Sequence, residues 1–591
     1  MKISLNKGVP AIQCLDSVVI GFMTNHISRA RVYQVYQSYI SSVEDLSAYS
    51  DILKENKPVR VKVERFDRRA NLDRSIFYDD TEEISFTFPA TAEGVKSYVT
   101  YKQNVRDAFF IPPFYFGSYL PVAKSVYQVV LPASVKINYR LFNTDSTKVK
   151  FTTTSTGKNT IYKWQMDEVN EIRSEDDGAD EAFYQPHVIV TIDEVSGEKF
   201  LSDYNQLAKW CSSFVKDLNQ KPAQELQGIV SSVTSGATND IDKCRSIYKW
   251  VQQNINYVAF EDSIYGFRPR EAADVCHKRY GDCKDMASLI YSMCRMAGIK
   301  AYYAWIGTSD KPYSHFDIAS PILYNHMICI AEVGDKKIVL DGTGKFSPFD
   351  YPTPFIQNKE ALYVNDEGKP IIYKLPVVDA SQNYRSDSVS ITLGSNCSLS
   401  GSLKSTLAGY KKMKYLYAVK YNDINNIRLK ILGLGNDKFR IDSIAETGLD
   451  DNSAREVIDI KFTLDDYVVK AGEKLYLNLN LNKKGHEQKV SNPSRIVPKV
   501  MDYKHTDKLF VKFKIPENYE LDYLPSGTLY ADSIVRYSIH YTADKEYITL
   551  TSEIEINSIL LSKENFADWN KALSKLSKDV SQNVVLRPSK L

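Results

Sequence analysis

The apolar residues of this chain change period twice along its length. From residue 1 to about 200 they alternate. Val59, Val61 and Val63 are separated by Arg60 and Lys62; Ile84, Phe86 and Phe88 repeat the pattern, as do Val135, Ile137, Tyr139 and Leu141. Period two marks half-buried strands, and turn-rich gaps between such runs argue for an antiparallel sandwich. From Asp203 the spacing becomes helical. Leu207, Trp210, Cys211, Phe214 and Val215 share one face behind Asp203 as a cap, and a second helix starts near Thr238 or Asn239 with Ile241, Cys244, Ile247, Trp250 and Val251. Beyond about residue 380 alternation returns, in Leu475, Leu477, Leu479 and Leu481, in Val511, Phe513 and Ile515, and in a hairpin from Tyr537 to Leu550 around Ala543-Asp544-Lys545. A helix around Leu407 to Val419 interrupts these strands, and Phe566, Trp569, Leu573, Leu576 and Val580 form a last helical stripe. No single pair of packed layers accommodates this order, and 591 residues exceed one domain. The expected fold is multi-domain α+β. It has an N-terminal antiparallel β-sandwich over 1–200, a central α+β core over 201–370, and a C-terminal β-rich part over 371–591 ending in a helix.

The middle segment carries the chemistry. Gly281-Asp282-Cys283-Lys284-Asp285 opens an amphipathic run in which Ala287, Ile290, Met293, Cys294 and Ala297 recur at helical spacing before Gly298. Asp282 is a good N-cap and Asp285 stands where a capping box needs an acid. Cys283 therefore falls at the first helical position. There the positive end of the helix favours thiolate, and a free thiol, with a pKa of about 8.5, needs that help at neutral pH. Downstream, Met327 to Val333 and Lys337 to Leu340 read as strands around Gly334-Asp335, a turn-prone pair. A two-residue loop places residue 328 opposite Asp341, so that His326 and Asp341 become diagonal neighbours on one face. Asp341 can then fix the imidazole tautomer and leave the other ring nitrogen for the thiol. Alone, the cysteine reads as a small buried hydrophobe and the histidine as a surface residue. Their order, element types and face parity together point to nucleophilic thiol chemistry.

Tyr280-Gly281-Asp282-Cys283-Lys284-Asp285, Ala297-Gly298-Ile299, Asn325-His326 and Leu340-Asp341 resemble the transglutaminase-like superfamily of papain-fold cysteine enzymes. Tyr265-Gly266-Phe267-Arg268-Pro269-Arg270 is similar to its large bacterial branch, whose members carry β-rich domains around the core. The resemblance implies a papain-like core with Cys283 as nucleophile, His326 as general base and then acid, and Asp341 as orienter. It also implies Tyr257 as an oxyanion-binding side chain beside the backbone N–H of Cys283. The expected function is cleavage or transfer of acyl groups at peptide or protein amide bonds through a thioester, with no cofactor and no metal. Whether water or an amine resolves the thioester stays open. The alternative is a catalytically silent binding or assembly protein that keeps the core between β-sandwiches. The resemblance further implies a periplasmic or extracellular location, although Met1 to Pro10 shows no signal-peptide pattern.

Composition removes other classes. The 75 basic and 73 acidic residues leave a formal charge of +2, which steers toward neither nucleic acid nor an anionic membrane. No apolar run approaches the ~18 residues of a membrane span. Eight cysteines in so long a chain are not a disulfide scaffold, and Cys276-His277 with Cys283 lacks zinc-ligand spacing. Gly342-Thr343-Gly344-Lys345 fails as a phosphate loop, because Val339 and Phe346 stand where glycine and Ser or Thr are required. Gly433-Leu434-Gly435 lacks the third glycine of a dinucleotide turn. Glu175-Asp176-Asp177-Gly178 reads as a solvated loop rather than a calcium loop, since Arg173 occupies the first ligand position. Pro112-Pro113-Phe114-Tyr115-Phe116-Gly117 reads as a packed aromatic corner.

Overall fold

The computed structural model describes every residue except 25–29, 56, 71–75, 222, 262–265, 449–453, 483–487 and 590–591. The chain divides into two compact units. The first comprises Met1–Glu175, Asp180–Thr343 and Lys359–Leu375; the second comprises Asp176–Ala179, Gly344–Asn358 and Pro376–Leu591.

The first unit begins with an eight-stranded sheet running from Lys150–Ser155 at one edge to Lys57–Lys62 at the other. Alternation does what the pattern predicts. Val129, Leu131 and Trp164 point inward and meet Val188, Val190 and Ile192 of a facing sheet. A third, three-stranded sheet places Phe86 and Phe88 against Ala48 and Val99. Within the eight-stranded sheet one pairing is parallel: Lys2–Asn6 lies beside Val122–Pro132, and the Met1 amine donates to Gln128 O at 2.7 Å. The antiparallel expectation thus holds in this sheet except on one side of Lys2–Asn6, and another parallel pairing joins Ile76–Asp79 to Ala259–Glu261. Phe114 stacks on Tyr127 at 4.6 Å, so the proline-aromatic cluster is a packed corner.

The core follows. Its helices are α1 (Tyr204–Ser213), α2 (Gln224–Thr234), α3 (Asp240–Asn254), α4 (Ala272–Lys278) and α5 (Cys283–Met296). Asp203 caps α1 by accepting from Asn205 N and Gln206 N, and Asn239 caps α3 by accepting from Asp242 N. Sequence reading missed α2, which has no side-chain cap, and α4, which has only 7 residues. The helices pack on an antiparallel sheet ordered Lys336–Leu340, His326–Val333, Lys300–Ile306, Glu360–Val364 and Pro370–Lys374. Helix α5 lies against the two strands ending at Ile306 and beginning at His326. The site residues therefore gather at one end of that sheet.

The second unit is built on another eight-stranded sheet and a four-stranded one, with helices α6 (Gly409–Tyr421), α7 (Ile424–Leu432) and α8 (Phe566–Val580). Two expectations need correction. The strand at Leu475 stops at Leu477. Asn478 Oδ1 accepts from Asn480 N at 2.7 Å, an Asx turn that breaks the ladder while Leu479 and Leu481 stay buried. The acidic stretch is not merely solvated. Asp177 pairs with Arg495 at 2.6 Å and with Lys499, and Gly178 bridges to Lys499. Along α8 the apolar stripe is fully buried, and Trp569 Nε1 donates to Gln488 O at 2.9 Å. Trp569→Ala should destabilise this unit by about 3–5 kcal/mol, read as an earlier thermal transition; an unchanged transition would contradict that packing.

Candidate active site

Cys283 is the first residue of α5 and is half-buried. The capping box forms in both directions: Asp282 accepts from Asp285 N, and Asp285 accepts from Asp282 N, each at 3.2 Å. Lys284, buried beside the thiol, pairs with Asp282. Burial pushes the Asp282 carboxyl up against the pull of Lys284. Burial also opposes the Lys284 charge, but Asp282 and Cys283 together carry its pKa upward. The helix start is thus a charged place with its charges matched.

The hairpin supplies the partner. Val333 pairs with Lys336 around a two-residue turn, where Gly334 takes φ +59°, and Cys329 pairs with Leu340. That register sets residue 328 opposite Asp341, as the alternation argument requires. His326 begins the strand, and its Nε2 lies 3.0 Å from Asp341 Oδ2. Asp341 is fully buried, with its Oδ1 accepting from Thr343 N at 3.2 Å and Thr343 Oγ1 at 2.7 Å. Tyr248 on α3 donates to Asp341 O at 3.0 Å. Asp341 engages Nε2, and the Cys283 thiol is the other group that acts on the imidazole. Burial favours the neutral imidazole, but Asp341 and Cys283 overcome it and push His326 up to about 10. The structure therefore brings Cys283, His326 and Asp341 together.

Thr343 was not singled out from sequence. It sits in the segment dismissed as a phosphate loop, although an Asp followed two residues later by Thr is the signature of an Asx turn. Thr343→Val keeps the volume and removes one hydrogen bond to the carboxylate. It should lower turnover by about tenfold with little change in melting temperature; an unaltered rate would show that Asp341 needs no such support.

Tyr257 lies on Asn256–Tyr257, which runs parallel to Tyr280–Gly281 with Tyr257 paired to Gly281. It is 47% exposed, so core packing does not explain it. Tyr265 of the upstream motif lies outside the described residues. Its neighbour Phe267 packs on Trp210 and Phe110 at 5.0 and 5.4 Å. Cys276 is buried while His277 is exposed on α4, and among the described residues no group of three or more His, Cys, Asp or Glu could hold a metal ion.

Comparison with known proteins agrees with this architecture. Residues 227–328 match the model of the transglutaminase-like superfamily. Residues 27–173 and 473–586 match two domains of unknown function with solved structures, DUF3857 and DUF3858. The crystal structure of a candidate protease from Parabacteroides distasonis ATCC 8503 is similar at a TM-score of 0.64 and 13% identity, covering 99% of this chain and 97% of that one. That likeness is one of fold. A candidate cysteine protease from Cytophaga hutchinsonii aligns at 12% identity over 56% of this chain and 78% of its own, with a TM-score of 0.16. No curated protein matches the chain.

Proposed function

The chain carries a transglutaminase-like core between two β-rich flanks, and from that premise we propose that it is a cysteine enzyme acting on peptide or protein amide bonds. The observation that supports this most is the buried Asp341–His326 pair, at 3.0 Å, whose imidazole also interacts with the thiol at a helix start. In this reading Cys283 Sγ attacks the carbonyl carbon as thiolate. His326, holding the proton, passes it to the departing amine nitrogen as the C–N bond breaks. The thioester that forms is resolved by water, giving hydrolysis, or by an amine, giving transfer; His326 takes the proton of whichever attacks.

The backbone N–H of Cys283 has no partner within its own helix at this position, which makes it the natural donor to the oxyanion. Tyr257, in register with Gly281, is the second donor in this proposal. One such donor is worth about 3–4 kcal/mol in the transition state. The test is capture: a Cys283→Ala chain binds substrate without consuming it, so peptides retained by that chain and released by the wild type identify what is cut. Peptides retained equally by both, and never processed, would favour the silent binding protein instead.

A further inference from the structure

The chain just ahead of α4 is fastened along the first two turns of α5, and one residue does most of the fastening. Arg270 N–H donates to Asp285 Oδ1 at 2.9 Å, its Nε donates to Asp285 Oδ2 at 2.9 Å, and its Nη2 reaches the same oxygen at 2.7 Å. The same Nη2 donates to Tyr280 O at 2.9 Å. Arg270 O in turn accepts from Ser288 Oγ at 2.8 Å, and the Ser288 hydroxyl accepts from Asn219 Nδ2 at 2.9 Å. Both main-chain groups and the guanidinium are thus committed. The Asp285 side chain is 3% exposed and also accepts from Asp282 N. There is no slack on the other side, because a Cβ on Gly281 would sit 2.6 Å from Asp285 Cβ.

Asp285 is two residues past the thiol, and Tyr280 is three before it. A planar fork that grips both ends of Tyr280-Gly281-Asp282-Cys283-Lys284-Asp285 sets the direction of the Cys283 N–H and of its Cα–Cβ bond. A point charge on a flexible stem cannot hold two acceptors in that geometry. We propose that Arg270 is a positioning residue, which aims the Cys283 thiol and backbone N–H by clamping Asp285 to the Tyr280 carbonyl. The inference rests on Cys283 being the nucleophile. A helix could form on its capping box alone. The clamp adds fixed orientation, and a displacement near 1 Å at reacting atoms can cost about a hundredfold.

The test follows iodoacetamide labelling of the full chain across pH, read peptide by peptide, in the wild type, Arg270→Lys and Arg270→Gln. Cys397, the other half-buried thiol, is the internal reference in the second unit. The charged and titrating groups that face Cys283 or the Arg270 guanidinium include Asp282, Lys284, Asp285, His326 and Asp341, with Asp274 and Tyr280 beside Arg270, and all of these are shared by the three chains. Wild-type Cys283 should label faster than Cys397. Both variants should label Cys283 at least tenfold more slowly and with a displaced pH profile, while Cys397 labelling and the melting temperature hold. A wild-type Cys283 no faster than Cys397 overturns the nucleophile reading, and this inference with it. A fast wild type with the same rate and profile in Arg270→Lys overturns the clamp alone. If Arg270→Gln does not fold, Arg270→Lys decides; if neither folds, Arg270 serves global stability and the inference falls.

Discussion

Amide turnover should fall by about 10⁴-fold or more in Cys283→Ala, fall comparably in His326→Ala, and fall no further in the double variant. In the proposed mechanism the two side chains act as one device. The thiol has no proton acceptor without the imidazole, and the imidazole has no nucleophile to serve without the thiol. Residues that work as a unit are grossly non-additive, and removing either removes most of what the unit supplies. What survives comes from oxyanion donors and binding, which leave a residual acceleration over water. Both variants should keep the fold. Cys283 is half-buried at a helix start capped by its neighbours rather than by itself. The measurement is single-turnover kinetics on a peptide found by the trapping experiment, with melting temperatures alongside. Losses that multiply in the double variant would show two independent residues and end the paired account.

Asp341→Asn should cost about as much, about 10⁴-fold in kcat, and should also reshape the pH dependence. In the wild type, burial lowers the basicity of His326, but Asp341 and Cys283 raise its pKa to about 10, above its ordinary 6.5. A group whose folded-state pKa is raised stabilises the fold fully below its unfolded value, near 6.5, and loses that contribution as pH rises through the folded value, near 10. The protein should therefore lose stability between those limits. The asparagine variant removes the larger of the two raising charges, so burial prevails and the imidazole turns neutral at lower pH. Its activity should fail on the alkaline side earlier than the wild type, and its stability should decline less from pH 7 to 10. Comparing the two chains cancels titrations common to both, such as Lys359, whose ammonium is pushed down to about 8 by burial. Superimposable stability profiles for the two chains would mean that His326 is not held protonated by Asp341.

Much of this site is local, which is why it is legible before any coordinates. Asp282 and Asp285 bracket Cys283 at capping-box spacing, so the helix start can be placed to the residue. Gly334-Asp335 sets a two-residue turn, and period-two parity then pairs residue 328 with Asp341. The parts that escape are those whose partners are distant or whose pattern is overruled. Tyr248 reaches Asp341 O across 93 positions, and Arg270 reaches Asp285 past an intervening helix. No periodicity signals either contact. Leu479 and Leu481 keep the strand pattern and are still not strand, because the Asn480 N–H donates to the Asn478 side-chain oxygen instead of to a neighbouring strand.

The amino-acid order alone determined which residue opens the helix, which residues share a face of the ribbon, and that β-rich segments surround a helical one. Those are consequences of capping, pleat and period, and each operates over a few residues. Only the tertiary structure decided that the helix start and the ribbon meet, that Asp341 is dry, and that Asp341 and Cys283 push the His326 imidazole upward against its burial. These depend on which distant segments exclude water, and desolvation and charge proximity are properties of the packed chain rather than of any stretch of it.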